Sequence, residues 1–290
     1  MKMTAARPEA LVARLKGGGR RPRPLAPSPA TLPKNAQGRF YHLNCGPGDL
    51  APYILTCGHP ERAKKIARLL DRVQIKRRHR EFLTFTGAYR NIPVSVMATG
   101  IGTGATAIAV IEACQCVSPV TFIRLGSTGA LQDYIALGDL VITTEALRDE
   151  NTTHYYAPAD LKALAHPQVL TALIKAAATL GFPHHVGLTC TTADFYAGQG
   201  RVVPGFPTLD PGKVARLSRA GVLNFEMEMS AYLTLAAVST YNLRAGGICA
   251  VFNNRLHDNL ASPKLMRLAE ERLIQTGLLT LEILAAEDGM

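Results

Sequence analysis

Four short stretches of the sequence concentrate glycine, charged and hydroxyl residues. They are CGHPER (57–62), TGIGTGA (99–105), IRLGSTGAL (123–131) and FEMEM (225–229). Each adjoins a short apolar run that predicts a buried β-strand. Ligands of open α/β sheets bind beyond the carboxyl ends of the strands. We therefore expect all four stretches to face one ligand site.

Two of these stretches favour an anion such as phosphate. A strand is predicted to end at Arg124, after which a glycine frees the backbone and Ser127 and Thr128 offer hydroxyls. A guanidinium, exposed N–H groups and hydroxyls together bind anions. Gly58 lets the backbone approach closely, and Arg62 enters a first helical turn, where its charge opposes the helix dipole unless it contacts an anion. The alternative for both Arg62 and Arg124 is a solvated surface arginine.

The glycine turn GIGTGA (100–105) is open to two further interpretations. It fits the loose dinucleotide-binding pattern. The next strand ends in Arg124 rather than an acid, so an NADP phosphate is one alternative and a tight strand-to-helix turn is the other. No Walker A lysine follows any glycine loop, which disfavours a nucleoside triphosphate. Orthophosphate or a phosphomonoester fits better.

FEMEM places two acids around a methionine at a predicted strand-to-helix junction. Glu226 and Glu228 could both face a ligand, with Met227 between them. A carboxylate suits paired hydroxyls such as those of ribose. The alternative is that both acids only complement a helix dipole.

The segment FYAGQGR (195–201) brings together an aromatic ring, an amide and a guanidinium. Phe195, Gln199 and Arg201 suit a flat, polar ligand such as a nucleobase. Taken alone, the segment is equally typical of a glycine-rich loop with a partly buried aromatic residue.

Alternating strand and helix patterns predict the elements that position these residues. YILTC (53–57) and VTFIRLG (120–126) predict strands, and a hairpin is predicted around Arg90–Asn91. Further helices are expected at about 61–70, 105–116, 167–180, 211–219, 229–241 and 263–285. The order predicts one α/β domain with three α/β/α layers and a central mixed, largely parallel sheet.

Residues 1–40 differ in composition from the rest of the chain. Nine of the 32 Lys and Arg residues but a single acid lie there, together with six prolines, so this segment carries most of the net charge of +10. We predict a flexible basic extension over 1–40 and a catalytic domain over 41–290. An Arg-rich transit peptide is the alternative for the extension. No motif supports a nucleic-acid partner.

The remaining composition predicts a cytoplasmic protein. No run of 18 apolar residues is present, so no membrane span is expected. The six cysteines are scattered through apolar runs and suit reduced core residues. Cys114 and Cys116 have no second Cys/His pair at the spacing of a zinc site, so no metal is expected.

The motifs, in this order, resemble the signature segments of the nucleoside phosphorylase family. CGHPER, HREF, TGIG, FIRLGSTGAL, FYAGQGR and FEME carry the resemblance, which runs from about Tyr41 to Arg255. FYAGQGR is most similar to the uridine-type members. The resemblance implies a phosphorylase/hydrolase-like fold and a homo-oligomer built from dimers, commonly a hexamer.

The resemblance also implies a role for each matching residue. Phosphate would be bound by Gly58, Arg62, Arg124 and Ser127, joined by Arg80 of a neighbouring subunit. Ribose would be bound by Glu226, Met227 and Glu228, with His42 reaching it across the same interface. The base would be bound by Phe195, Gln199 and Arg201. Arg201, Gln199 and Glu228 would be the catalytic residues.

Several positions depart from the family pattern. His59 replaces an acid in the first glycine turn, and Asn253 is polar where uridine-type members close the base pocket with an apolar residue. Asn254 lies about where purine-type members carry an acid, which disfavours a purine substrate. Ala105 replaces a hydroxyl residue of a monovalent-cation site and so disfavours potassium binding, although Glu81 is kept.

The resemblance implies phosphorolysis of a pyrimidine nucleoside, converting uridine and orthophosphate to uracil and ribose 1-phosphate. No cofactor is expected beyond orthophosphate as the co-substrate. A purine or methylthio-nucleoside phosphorylase or nucleosidase and a catalytically silent nucleoside-binding protein remain the alternatives.

Overall fold

The computed structural model describes residues 29–290. The chain divides into a unit of residues 1–34 and a compact unit of residues 35–290. Most of the predicted basic extension, residues 1–28, lies outside the described residues. The compact unit includes Phe40, which is buried, and therefore begins within the segment assigned to the extension.

Strands and helices alternate along the described part of the chain. The strands are β1 (Tyr53–Cys57), β2 (Arg72–His79), β3 (Phe82–Tyr89), β4 (Ile92–Ala98), β5 (Val120–Ala130), β6 (Leu140–Asp149), β7 (Ala163–Leu164), β8 (His184–Thr192), β9 (Asn224–Glu226), β10 (Leu243–Asn254) and β11 (Asn259–Leu260). The helices are α1 (Pro60–Ala67), α2 (Thr103–Cys114), α3 (Pro167–Thr179), α4 (Lys213–Arg219), α5 (Met229–Val238) and α6 (Pro263–Glu287). Between residues 29 and 290, no helix is long and apolar enough to span a bilayer.

All strands join one mixed sheet. β4, β1, β5 and β10 run parallel, and β3 and β2 continue the sheet antiparallel beyond β4. Beyond β10, the pairings with β6, β8 and β9 return to the end of β5 and close a ring of strands. The predicted α/β fold with a mixed, largely parallel sheet is confirmed.

Side-chain alternation along β5 places helices on both faces of the sheet. Ile123 and Leu125 belong to a core shared with α3 and α6, whereas the Phe122 ring lies 5.6 Å from the Tyr232 ring of α5. Successive residues of a strand point to opposite faces. The helices therefore pack against the sheet from two sides, as the three-layer prediction requires.

The structure differs from the predicted strands in two places. β5 does not end at Arg124 but continues to Ala130, because β10 and β9 supply hydrogen-bonding partners as far as its last residue. The sequence RVQIKRRH forms β2 but was not predicted as a strand. β2 pairs only with β3, so its charged side chains can reach solvent from the sheet edge.

Candidate active site

A cavity of about 760 Å³ lies at the carboxyl ends of the parallel strands. All four signature stretches supply its walls: the turn after β1, the turn after β4, the end of β5 and the junction between β9 and α5. Ten of the predicted site residues line it: Gly58, Arg62, Arg124, Ser127, Phe195, Gln199, Arg201, Glu226, Met227 and Glu228. These stretches line one cavity, as expected. The binding roles of their residues stay predictions.

Arg124 is buried between two carboxylates at the bottom of the cavity. Its Nε donates to Glu226 Oε2 at 3.0 Å, and its Nη2 donates to Glu228 Oε2. Burial alone would lower the pKa of Arg124, but the two carboxylates outweigh it and raise that pKa. The buried Nη1 has no hydrogen-bond partner among residues 29–290. The side chain that lines the cavity thus carries a charged donor nitrogen without a partner in the described part of the chain, as a ligand for an anion would.

Glu226 has protein donors at both carboxylate oxygens. Oε2 accepts from Arg124 and from the backbone N–H groups of Glu228 and Met229, each at 2.8 Å, and Oε1 accepts from Thr191. Its side chain has no solvent exposure. The structure therefore gives Glu226 the geometry of an anchor for Arg124 and for the start of α5.

Glu228 lies closer to the cavity and holds the glycine turn. Its Oε1 accepts from the Gly102 N–H at 2.7 Å. Burial raises the pKa of Glu228, and Glu226 adds to that rise while Arg124 opposes it. Because the Gly102 N–H already binds this carboxylate, it is not open to a pyrophosphate, which argues against the dinucleotide interpretation of the turn.

Arg62 is buried rather than solvated, so the surface alternative is wrong. Its Nη2 donates to Ser127 Oγ at 2.7 Å, and its Nη1 donates to the Leu125 carbonyl at 2.9 Å. Its Nε donates to Glu270 of α6 at 2.8 Å. Glu270 was not predicted as a site residue, because nothing local distinguishes this acid from others on an amphipathic helix.

In the segment FYAGQGR, the Arg201 guanidinium packs over the Phe195 ring. The Arg201 guanidinium carbon lies 4.2 Å from the centre of the Phe195 ring, and Nε donates to the Phe195 carbonyl at 2.9 Å. Gln199 is buried, and its Nε2 donates to Thr192 Oγ1 at 3.3 Å. Partial burial lowers the pKa of Arg201. A desolvated cation interacts more strongly with a charge that develops beside it.

Arg255, directly after β10, contacts this segment. It was not predicted as a site residue. Its Nη1 donates to the Gln199 carbonyl at 3.2 Å. Burial lowers the pKa of Arg255, and the nearby positive charge of Arg201 lowers it further. Its position directly after VFNN, within the stretch that carries the resemblance, was the available signal.

His42 and Arg80 do not line the cavity. His42 Nδ1 lies 2.6 Å from Glu112 Oε1, and the Arg80 guanidinium lies 5.8 Å from the centre of the Tyr41 ring. The Tyr41 ring also contacts the His42 ring at 5.1 Å. The two residues thus share one surface patch around Tyr41, and neither lines the cavity of their own chain, although Glu81 beside Arg80 does.

The two asparagines of VFNNR differ in environment. Asn253 lines the cavity, and its buried Oδ1 has no hydrogen-bond partner among the residues that the structure describes. Asn254 is buried and donates to the carbonyls of Gln132 and Ile135 at 2.9 and 3.0 Å. Asn254 therefore fastens the loop after β5, whereas Asn253 remains a feature of the cavity wall.

Comparison with known proteins shows the family to which the chain belongs. Residues 52–281 match the Phosphorylase superfamily. The chain belongs to the phosphorylase superfamily. Over 231 residues it is 46% identical to a uridine phosphorylase of Thermococcus kodakarensis, covering 78% of this chain and 82% of that protein.

Two further relatives extend the comparison. The chain is 36% identical to a uridine phosphorylase of Escherichia coli over 81% of this chain and 94% of that protein. It is 31% identical to a guanosine phosphorylase of Halorubrum lacusprofundi over 75% of this chain and 85% of that protein. The family resemblance stated from the motifs is thereby confirmed.

Proposed function

We propose that the protein is a pentosyltransferase that converts uridine and orthophosphate to uracil and ribose 1-phosphate. The observation that carries this proposal is the placement of an arginine-rich anion site, the Glu228 carboxylate and the Phe195–Arg201 segment around one cavity. The relatives called uridine phosphorylases support the choice of nucleoside.

Phosphate would bind beside Arg62, Arg124 and Ser127. Nη1 of Arg124 has no partner within the described part of the chain, and the Arg62–Ser127 hydrogen bond orients both side chains. Gly58 lies opposite the Gly100 carbonyl, which would be only 3.0 Å from an added Cβ, so a larger residue would crowd this turn. Fixing phosphate in this position supplies the proximity that its attack requires.

The sugar and the base would occupy the remaining walls. Glu228, held by Gly102 and Arg124, would accept from ribose hydroxyls beside Met227. A phosphate oxygen forms a bond to C1′ while the bond from C1′ to the base nitrogen breaks, and the electron pair leaves with uracil. Arg201 and Gln199 would stabilise the negative charge that develops on the uracil carbonyls, and uracil then takes a proton from water.

Uracil release with and without phosphate tests this function. Purified protein with uridine should release uracil only when orthophosphate is present, and ribose 1-phosphate should form in equal amount. Release independent of phosphate would identify a nucleosidase, and uridine binding without turnover would identify a silent binding protein. A panel with thymidine, deoxyuridine, inosine, guanosine and adenosine defines the base and the sugar.

Arg201→Ala should lower uridine kcat/KM by about 10²–10³-fold, because it removes a donor to the leaving base. Arg219→Ala is the matched control, since Arg219 is an exposed arginine in the last turn of α4. Deletion of residues 1–28 should also leave kcat/KM unchanged. An Arg201→Ala enzyme as active as the Arg219→Ala control would remove the base-site assignment.

The proposal includes a homo-oligomer built from dimers, with a hexamer as the expected assembly. His42 and Arg80 lie outside the cavity of their own chain, and each would complete the cavity of a neighbour. Light scattering measures the assembly. Mixing inactive Arg80→Ala and Arg201→Ala proteins under conditions of subunit exchange should restore part of the activity. No recovery after demonstrated exchange would show that Arg80 acts within its own chain or not at all.

A cytoplasmic location belongs to the same proposal. All six cysteines are free and buried, which suits a reducing compartment. Cell fractionation with an antibody against the chain tests this location, and recovery outside the cytoplasmic fraction would contradict it.

A further inference from the structure

Lys213 is a buried lysine that does not line the cavity. Its ammonium group contacts the segment FYAGQGR (195–201), called the base segment below. Its Nζ donates to the Gly198 carbonyl at 2.5 Å and also to Asp149, the last residue of β6. The Lys213 side chain is only 11% exposed, whereas the Asp149 side chain is 44% exposed. The buried ammonium group therefore has two partners, one on an exposed acid and one on the backbone of the base segment.

Helix formation does not explain this lysine. Lys213 is the first residue of α4, where a positive charge opposes the helix dipole. Lysine also loses more side-chain entropy than most residues when it is fixed and buried. A residue with both costs is favoured only where its ammonium group makes strong contacts, and here one of those contacts is to the base segment.

A second contact joins Lys213 to the same segment. Gly200 has φ +67°, and a Cβ at this position would lie 3.3 Å from Cβ of Lys213. The lysine stem thus packs beside Gly200 while its ammonium binds the Gly198 carbonyl. Gln199 lies between these two contacts, and its own carbonyl accepts from Arg255.

Two cations consequently hold successive peptide groups of the segment. Lys213 holds the Gly198 carbonyl, and Arg255 holds the Gln199 carbonyl. The direction of the peptide groups on either side of Gln199 sets the direction of its side chain. The same peptide groups set the direction in which the backbone leads into Arg201.

We propose that Lys213 is a positioning residue for base recognition, which acts by fixing the Gly198–Gly200 backbone so that Gln199 and Arg201 reach the base. This inference rests on the proposed function for its kinetic consequences. Lys213 does not line the cavity and contacts the segment that is proposed to bind the base, so its effect should be confined to the nucleoside side of the site.

Lys213→Met, which keeps the length of the stem and removes the charge, tests the inference. At saturating phosphate, nucleoside kcat/KM should fall by about 10- to 100-fold, because small displacements of substrate-positioning groups have effects of this size. The KM for phosphate at saturating nucleoside should stay unchanged. Lys213→Arg should recover most of the lost activity, and Lys175→Met, at an exposed lysine of α3, is the matched control.

Hydrogen exchange of the full-length protein gives a readout that does not depend on activity. The amides of Gln199, Gly200 and Arg201 donate to the carbonyls of Tyr196 and Ala197. In Lys213→Met the peptide that contains them should exchange about 10-fold faster, while α6 exchanges as in the wild type. Lys213→Gln serves as the second variant in case the methionine variant does not fold.

The outcomes separate this inference from the proposed function. Unchanged exchange of the segment in a folded Lys213 variant overturns the positioning role, as does an equal rise in the KM for phosphate and for nucleoside. A wild-type protein without phosphate-dependent uridine cleavage overturns the proposed function alone. The exchange comparison then still decides whether Lys213 holds the segment.

Discussion

Replacement of Arg124 by methionine should destabilise the protein strongly, because it leaves two buried carboxylates without their cation. Arg124 donates to both Glu226 and Glu228. The Glu226 side chain is fully buried, and that of Glu228 is 5% exposed. Removing one partner from a buried ion pair costs about 3–5 kcal/mol. For a domain of this size that corresponds to a fall of about 6–20 °C in Tm.

The pH dependence of this loss gives the sharper measurement. Burial raises the pKa of Glu228 and Arg124 opposes that rise, so without Arg124 the pKa of Glu228 should lie still further above its unfolded value. Protonation of Glu228 in the folded state then removes its buried charge, so the variant should lose stability as the pH rises through this raised pKa. The difference in Tm between wild type and Arg124→Met should therefore be smaller near pH 5 than near pH 8.

Thermal unfolding followed by circular dichroism at both pH values tests this reasoning. Arg219→Met, at an exposed arginine, is the matched control and should change Tm by no more than about 2 °C. An Arg124→Met protein that melts with the control at both pH values would refute the view that the two carboxylates depend on this guanidinium. A loss that is independent of pH would refute the electrostatic origin of the effect.

Two further substitutions test the packing and the fastening of the chain. Gly126→Ala would place a Cβ 2.5 Å from Cys249 Sγ. The free energy of unfolding, measured by guanidinium titration, should therefore fall by about 1–3 kcal/mol. No change would mean that the Cys249 side chain can move aside. Asp288→Asn should weaken the contacts from Arg244 and Tyr53 and lower Tm at neutral pH. The hydrogen bond from Arg244 holds the pKa of Asp288 below its ordinary value, so the Tm difference should shrink as the pH falls below about 4. A difference that stays constant down to about pH 3 would contradict that assignment.

The strands that position the site were predictable where they are buried. YILTC forms β1 with the predicted bounds, and the hairpin of β3 and β4 turns at Arg90–Asn91 as expected. Both residues of that turn have positive φ. Apolar β-branched and aromatic runs favour strands because they pack well on a half-buried or buried pleated surface. β2 was missed because a charged edge strand owes its formation to its neighbour rather than to its own hydrophobic pattern.

The side chains of the candidate site were predictable as types but not as partners. Arg62 and Arg124 were both chosen as anion ligands, yet Arg62 contacts Glu270, which is 208 residues away in sequence. Glu226 was expected to hold ribose, whereas its oxygens accept from protein donors. A sequence window contains the residues of one strand end, but the partners of a buried charge come from distant elements.

The sequence by itself determined the family, the α/β class and the residue types at the strand ends, because these follow from local patterns of glycine, charge and hydrophobicity. Only the tertiary structure decided which charges meet. The closed ring of β5, β10, β6, β8 and β9 brings Arg124 between Glu226 and Glu228, and it brings Lys213 behind the base segment. Buried charges need partners at hydrogen-bond distance, and the folding of remote segments onto one another supplies that distance.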